Sequence, residues 1–138
     1  MTDTDKGNKE ALWMSATNLA EYAYSLLGDL PEEERWDMVS KMRQHAFNIA
    51  DSIAAAVGSR DPRDRMHYYL DAVRHLYGLK NVLTMAKRVN YIKPEPEQMI
   101  VLEDLIQQAR AGADSAEHDI QDYLNVFAKQ SDDKVDPS

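Results

Sequence analysis

Apolar residues recur along this chain at steps of three and four, the spacing that draws one stripe down an α-helix. In the first run, Leu12, Ala16, Leu19, Ala20, Ala23, Leu26 and Leu27 share a face, predicting a helix from about Lys9 to Leu27. Gly28 follows, where glycine enters a left-handed cap at little cost. Asp29-Leu30-Pro31 then restarts the chain. Proline suits a first helical turn, and Glu32, Glu33 and Glu34 suit the positive end of the helix dipole. The second stripe is Trp36, Val39, Met42, Ala46, Ile49, Ile53 and Val57, predicting a helix from about Pro31 to Val57, stopped at Gly58.

Ser59-Arg60-Asp61-Pro62 reads as a turn, with Asp61 as N-cap and Pro62 as first helical residue. Met66, Tyr69, Leu70, Val73, Leu76, Leu83, Ala86 and Val89 carry a third helix to about Asn90. Gly78 inside it costs roughly 1 kcal/mol against alanine, so a close helix contact is expected there. Lys93-Pro94-Glu95-Pro96 is a rigid break. Met99, Leu102, Ile106, Ala109, Ala113, Ala116, Ile120, Tyr123 and Phe127 face inward on a fourth helix, from about Glu95 to Ala128. Short turns make successive helices antiparallel neighbours. The expected fold is all-α, an antiparallel up-down-up-down four-helix bundle over residues 9–128. A flexible start at 1–8 and a disordered acidic tail at 129–138 flank it.

Composition narrows the function. The chain has 138 residues, enough for one domain, and no cysteine, which removes disulfides and thiolate chemistry. No apolar run approaches the roughly 20 residues that span a bilayer, and MTDTDKGNKE has no signal-peptide core. The expectation is a cytoplasmic protein without membrane contact. The net charge of −8 is unevenly spread. Residues 1–34 hold 2 basic and 8 acidic side chains, residues 35–93 hold 11 and 5, and residues 94–138 hold 3 and 11. A basic middle between acidic ends suggests surfaces with different partners, or charge pairing between neighbouring helices.

Chemistry is sparse. A di-iron bundle needs Glu-x-x-His pairs, and none occurs. His67, Asp71 and His75 stand four apart in turn, but the two histidines are roughly 12 Å apart along a helix at about 1.5 Å per residue. A His–Asp pair on a polar face or at a subunit contact fits better than a metal. Asp114 and His118 repeat that spacing. No nucleophile motif, P-loop or dinucleotide fingerprint is present, so neither catalysis nor a cofactor is expected. Trp13 and Trp36 are candidates to anchor an interface. Arg43, Arg60, Arg63, Arg65, Arg74, Lys87 and Arg88 lie on the second and third helices or their turn. If those helices are neighbours, the cations form a positive stripe suited to a nucleic-acid backbone or a protein partner. A solvated face is the alternative.

The segment from Leu30 to Ala46, LPEEERWDMVSKMRQHA, resembles the helix-2 opening of the four-helix-bundle proteins encoded in 23S rRNA intervening sequences, which reads roughly LPxxExYxLxxQIRRAA. Asn48-Ile49-Ala50-Asp51-Ser52-Ile53-Ala54 is similar to their SIPxNIAEG stretch. Tyr68 to Ala72, Leu76, Leu79, Leu83, Ala86 and the closing Asn90-Tyr91-Ile92 follow their third helix. Gln44 stands where the family has a second arginine, Ala55-Ala56 where it has EG, and Arg74-His75 where it has a small GS pair. The family includes Avd, the accessory protein of diversity-generating retroelements. The resemblance implies a homopentameric ring of bundles, without catalytic residues. It also implies binding of a reverse transcriptase and its template RNA through positive surface.

Overall fold

The computed structural model describes residues 3–134. Four helices account for most of them: α1 (Asp3–Leu26), α2 (Ser40–Gly58), α3 (Pro62–Arg88) and α4 (Pro96–Lys134). No strand occurs among the described residues. α1 begins six residues before the expected start, and α4 continues past Ala128 to Lys134. Residues 1–2 and 135–138, parts of the expected flexible ends, lie outside the described residues.

α1 packs on α2 and α4, and α3 packs on α2 and α4. The core between them is built from the residues that the three-and-four spacing predicted. Leu19, Met42, Ile49, Ile53, Leu76, Leu83, Leu102 and Ile106 are fully buried. Alanines at 16, 46, 72, 86 and 109 are also fully buried and let the helix backbones approach. No charged or polar side chain is buried among the described residues.

Helix ends follow local chemistry. Asp61 caps α3, accepting the Arg63 backbone N–H at 2.9 Å, with Pro62 in the first turn as expected. Among the described residues the left-handed one is Asn90 (φ 65), whereas neither Gly28 nor any other described glycine has a positive φ. Asn90 ends α3 in a Schellman motif. Its N–H reaches the Lys87 carbonyl at 3.0 Å, and the Tyr91 N–H reaches that of Ala86 at 2.9 Å. The turn is then tied to α1, because Tyr22 Oη accepts the Glu95 N–H at 2.8 Å.

Five predicted core positions are exposed instead, among them Val89, 51% exposed just past the end of α3. Trp36 is 84% exposed. It lies in the irregular opening of the second helix, where Pro31 is extended, Glu32–Glu34 is a 3₁₀ turn and Arg35–Val39 is wound as a π-helix. A stripe extrapolated at 3.6 residues per turn loses its phase across such a segment. Leu70 is 51% exposed because it points away from Ala72 and Leu76 on the outer side of α3. Tyr123 and Phe127 are 63% and 62% exposed. They continue the inward seam of α4, but α4 outlasts its partner: Arg65, near the start of α3, already meets Asp119.

Candidate interaction surface

The cation positions follow from how α2 and α3 meet. His45 of α2 touches His75 of α3, Nδ1 to Nδ1 at 3.1 Å. Lys41, one turn before His45, shares that α3-facing flank and bears on the His45 imidazole. Residues two apart on a helix project to opposite sides, so Arg43 points away from α3. It lines a hollow with Arg35, Trp36, Val39 and Ser40 instead. The seven predicted cations therefore do not form one continuous stripe.

Arg60 and Arg63 are exposed at the α2–α3 turn, where they border a groove with Pro62, Ile120 and Tyr123. Arg65 is engaged within the fold. Its Nη1 donates to the Arg60 carbonyl at 2.6 Å, its Nη2 meets Asp119 Oδ2 at 2.8 Å, and its side chain is only 19% exposed. Arg74 pairs with Asp71 at 3.2 Å yet is 71% exposed, so that pair is loose and solvated. Lys87 and Arg88 are exposed in the last turn of α3, beside a groove lined by Pro94, Pro96, Met99 and Ile100. Along α3, Arg63 and Arg88 stand about 37 Å apart at 1.5 Å per residue.

The paired histidines are the most structured polar feature. One Nδ1–H donates to the other's lone pair, which requires at least one neutral ring. Burial lowers the pKa of both. His75, Lys41 and Arg74 lower His45 further. Arg74 also lowers His75, while Asp71 opposes this. Gly78 makes the space: a Cβ there would stand 2.6 Å from His45 Nε2. The close helix contact expected at Gly78 is therefore with this ring. His67 pairs with Asp71 at 3.4 Å as the i, i+4 spacing predicted, whereas His118 pairs with Asp122 at 3.4 Å rather than with Asp114. The His45–His75 contact was missed, though both residues lie fifteen positions from Arg60 in the turn. Equal distance from a helix turn is the signal that brings them level.

Outward from the core, α3 presents Leu70, Arg74, Tyr77 and Met85 on one exposed line. Arg110 of α4 holds Tyr77, donating to its Oη at 2.8 Å with the guanidinium 5.5 Å from the ring centroid. Lys80 and Glu103 form a further α3–α4 ion pair. Among the described residues, no group of three or more His, Asp or Glu converges to hold a metal. No helix among the described residues is long and apolar enough to cross a membrane. This is a surface of separate cations and exposed apolar side chains.

In comparisons with known proteins, the family model of the 23S rRNA-intervening sequence proteins matches residues 8–114. That match runs from α1 through the packed part of α4 and stops before the exposed Tyr123 and Phe127. No curated protein matches the chain.

Proposed function

Because the chain belongs to the 23S rRNA-intervening sequence protein family, we propose that it is a non-catalytic accessory subunit. It assembles into a homopentameric ring of antiparallel, up-down-up-down bundles. In a retroelement system it binds a reverse transcriptase, its template RNA, or both, in the cytoplasm. The antiparallel order is supported by contacts at matched heights. His45 meets His75 across α2 and α3, while Arg65 meets Asp119 and Lys80 meets Glu103 across α3 and α4.

The observation that carries the binding reading is that five of the seven predicted cations, Arg43, Arg60, Arg63, Lys87 and Arg88, are exposed and have no ion-pair partner among the described residues. Arg74 joins them by giving up a solvated pair. Arg65 is the weakest of the original seven, since its guanidinium already has two partners. The cations sit on rigid helices and at one capped turn, which suits contact with a phosphate backbone by shape. Gel-shift titration of the full chain against structured RNA tests this. R43E, R60E and K87E should each weaken binding, and each should reduce the salt slope by about 1. Absence of any complex at low salt removes the nucleic-acid part.

A second reading, an adaptor that binds protein alone, is favoured by the net charge of −8 and by the exposed Tyr123, Leu124 and Phe127 on α4. Capture of reverse transcriptase by nuclease-treated protein, with no RNA shift, would select it.

A further inference from the structure

We propose that a cavity between α1 and α4, reached from α3 by Tyr69, binds a small organic anion. The ligand's carboxylate or phosphate group takes hydrogen bonds from Lys9, Tyr69 and Ser115, which all line the cavity. The site uses none of the exposed cations of the binding surface and does not rest on the accessory reading.

The cavity follows from small residues in a helix seam. Ser115 and Ala116 stand three and four positions after Gly112, so the three share one face of α4. None has a side chain large enough to fill the space toward α1, and a cavity of about 450 Å³ remains. That volume lies in the range of small-molecule sites, roughly 300–1,000 Å³. Tyr69 reaches in from α3 with its ring across Gly112, where a Cβ would stand 2.7 Å from Cζ. Tyr69 is only 7% exposed, and its hydroxyl makes no hydrogen bond among the described residues. No unpartnered side-chain oxygen is sealed inside the fold among those residues, so this hydroxyl faces the open space of the cavity that Tyr69 lines.

The charge of the walls selects an anion. Arg65 lines the cavity, but the Arg60 carbonyl and Asp119 hold its guanidinium, so its charge is already paired. Lys9 has no ion-pair partner among the described residues. One unpaired cation therefore stands in the same cavity as two hydroxyls, those of Tyr69 and Ser115. Burial raises the pKa of Tyr69, and the opposing effect of Arg65 is smaller. The hydroxyl keeps its proton and is a donor. A buried donor without an acceptor is costly, whereas a bond to an oxyanion is shorter and stronger than a neutral one. The apolar body of the ligand then lies against Ala116 and the Tyr69 ring. Ser115, Ala116 and Asp119 follow residue 114, where the family match ends, so much of the α4 wall lies outside the matched region.

Two-dimensional NMR of the full chain, titrated with benzoate, phenyl phosphate and inorganic phosphate, tests this. Benzoate or phenyl phosphate should give saturable amide shifts centred on Gly112 and Ala116, and the tighter of the two identifies the acid group. Inorganic phosphate should bind about tenfold or more weakly, because it leaves the apolar wall uncovered. Tyr69→Phe keeps the ring on Gly112 and removes the hydroxyl alone, and Lys9→Met removes the charge. Each should weaken binding about tenfold or more, with the far-UV circular dichroism unchanged. K87E, at the far end of α3, should leave it intact. No saturable shift with either aromatic acid, or equal affinity in Tyr69→Phe, overturns the assignment. Inorganic phosphate bound as tightly as phenyl phosphate reduces the site to an ion at Lys9 and overturns it as well. Tyr69→Phe should still shift RNA as the wild type does. Loss of that shift would give the cavity to the nucleic-acid surface and overturn the small-anion site, while the accessory reading stands.

Discussion

Two helical glycines, Gly78 and Gly112, should respond differently to alanine, and the difference measures how tightly these helices approach. In an open helix interior, alanine is more favourable than glycine by about 1 kcal/mol. At Gly112 a Cβ would lie 2.7 Å from Tyr69 Cε2 and Cζ, well inside ordinary contact, which begins at 3.4 Å. Tyr69 is buried and its ring sits between α3 and α4. Overpacking of this kind costs about 1–3 kcal/mol, so Gly112→Ala should lose about 1 kcal/mol net. At Gly78 the added Cβ meets the His45 ring, which is only half-buried and can swing outward. That movement gives up the His75 hydrogen bond, worth about 1 kcal/mol, and nearly offsets the gain in helix propensity. Gly78→Ala should therefore be close to neutral. Urea unfolding followed by far-UV circular dichroism, at one fixed protein concentration, reads both as shifts in midpoint at constant slope. Stabilisation of Gly112→Ala by about 1 kcal/mol would show that Tyr69 yields freely and would refute the close packing.

Other outcomes follow from single contacts. Asp61→Ala removes the cap of α3 and should cost about 1 kcal/mol, read in the same unfolding assay. Asn90→Gly should be neutral or stabilising by a few tenths of a kcal/mol, and Asn90→Ala destabilising, because φ 65 suits glycine best and alanine least. His45 and His75 both titrate below the ordinary value of about 6.5, so the unfolded chain takes up protons first. Their contribution is complete above about pH 6.5, declines as pH falls from there toward the lowered values, and levels off beneath them. Unfolding midpoints measured from pH 7.5 to 5 should show that decline in the wild type and a shallower one in His45→Gln. Met42 is fully buried, and Met42→Ala should cost about 2–5 kcal/mol.

The helices and core were legible because burial imposes a period. Met42, Ile49, Leu76 and Leu102 repeat at steps that only one helical face satisfies, and the structure buries them all. Asp61-Pro62 was legible because capping is local chemistry. What failed needed knowledge of a partner. Leu70 fits the apolar period of α3, but the neighbours that decide its burial are on other helices. Tyr123 and Phe127 keep the period of α4 where no helix remains to cover them. Trp36 was misplaced because Arg35–Val39 winds as a π-helix. The cations were all identifiable as residues, yet their grouping was not. A one-dimensional count puts Arg43 beside Lys41, while helix geometry sends them to opposite flanks. Arg65 looked like an equal member of the set until Asp119, 54 residues away, was found to hold it.

The central claim, that this chain works as an assembled subunit, is tested most directly by multi-angle light scattering of the full chain at physiological salt. The account predicts one species of five copies, with a mass five times the 15.7 kDa of a single chain. A single peak at 15.7 kDa at every concentration would contradict it.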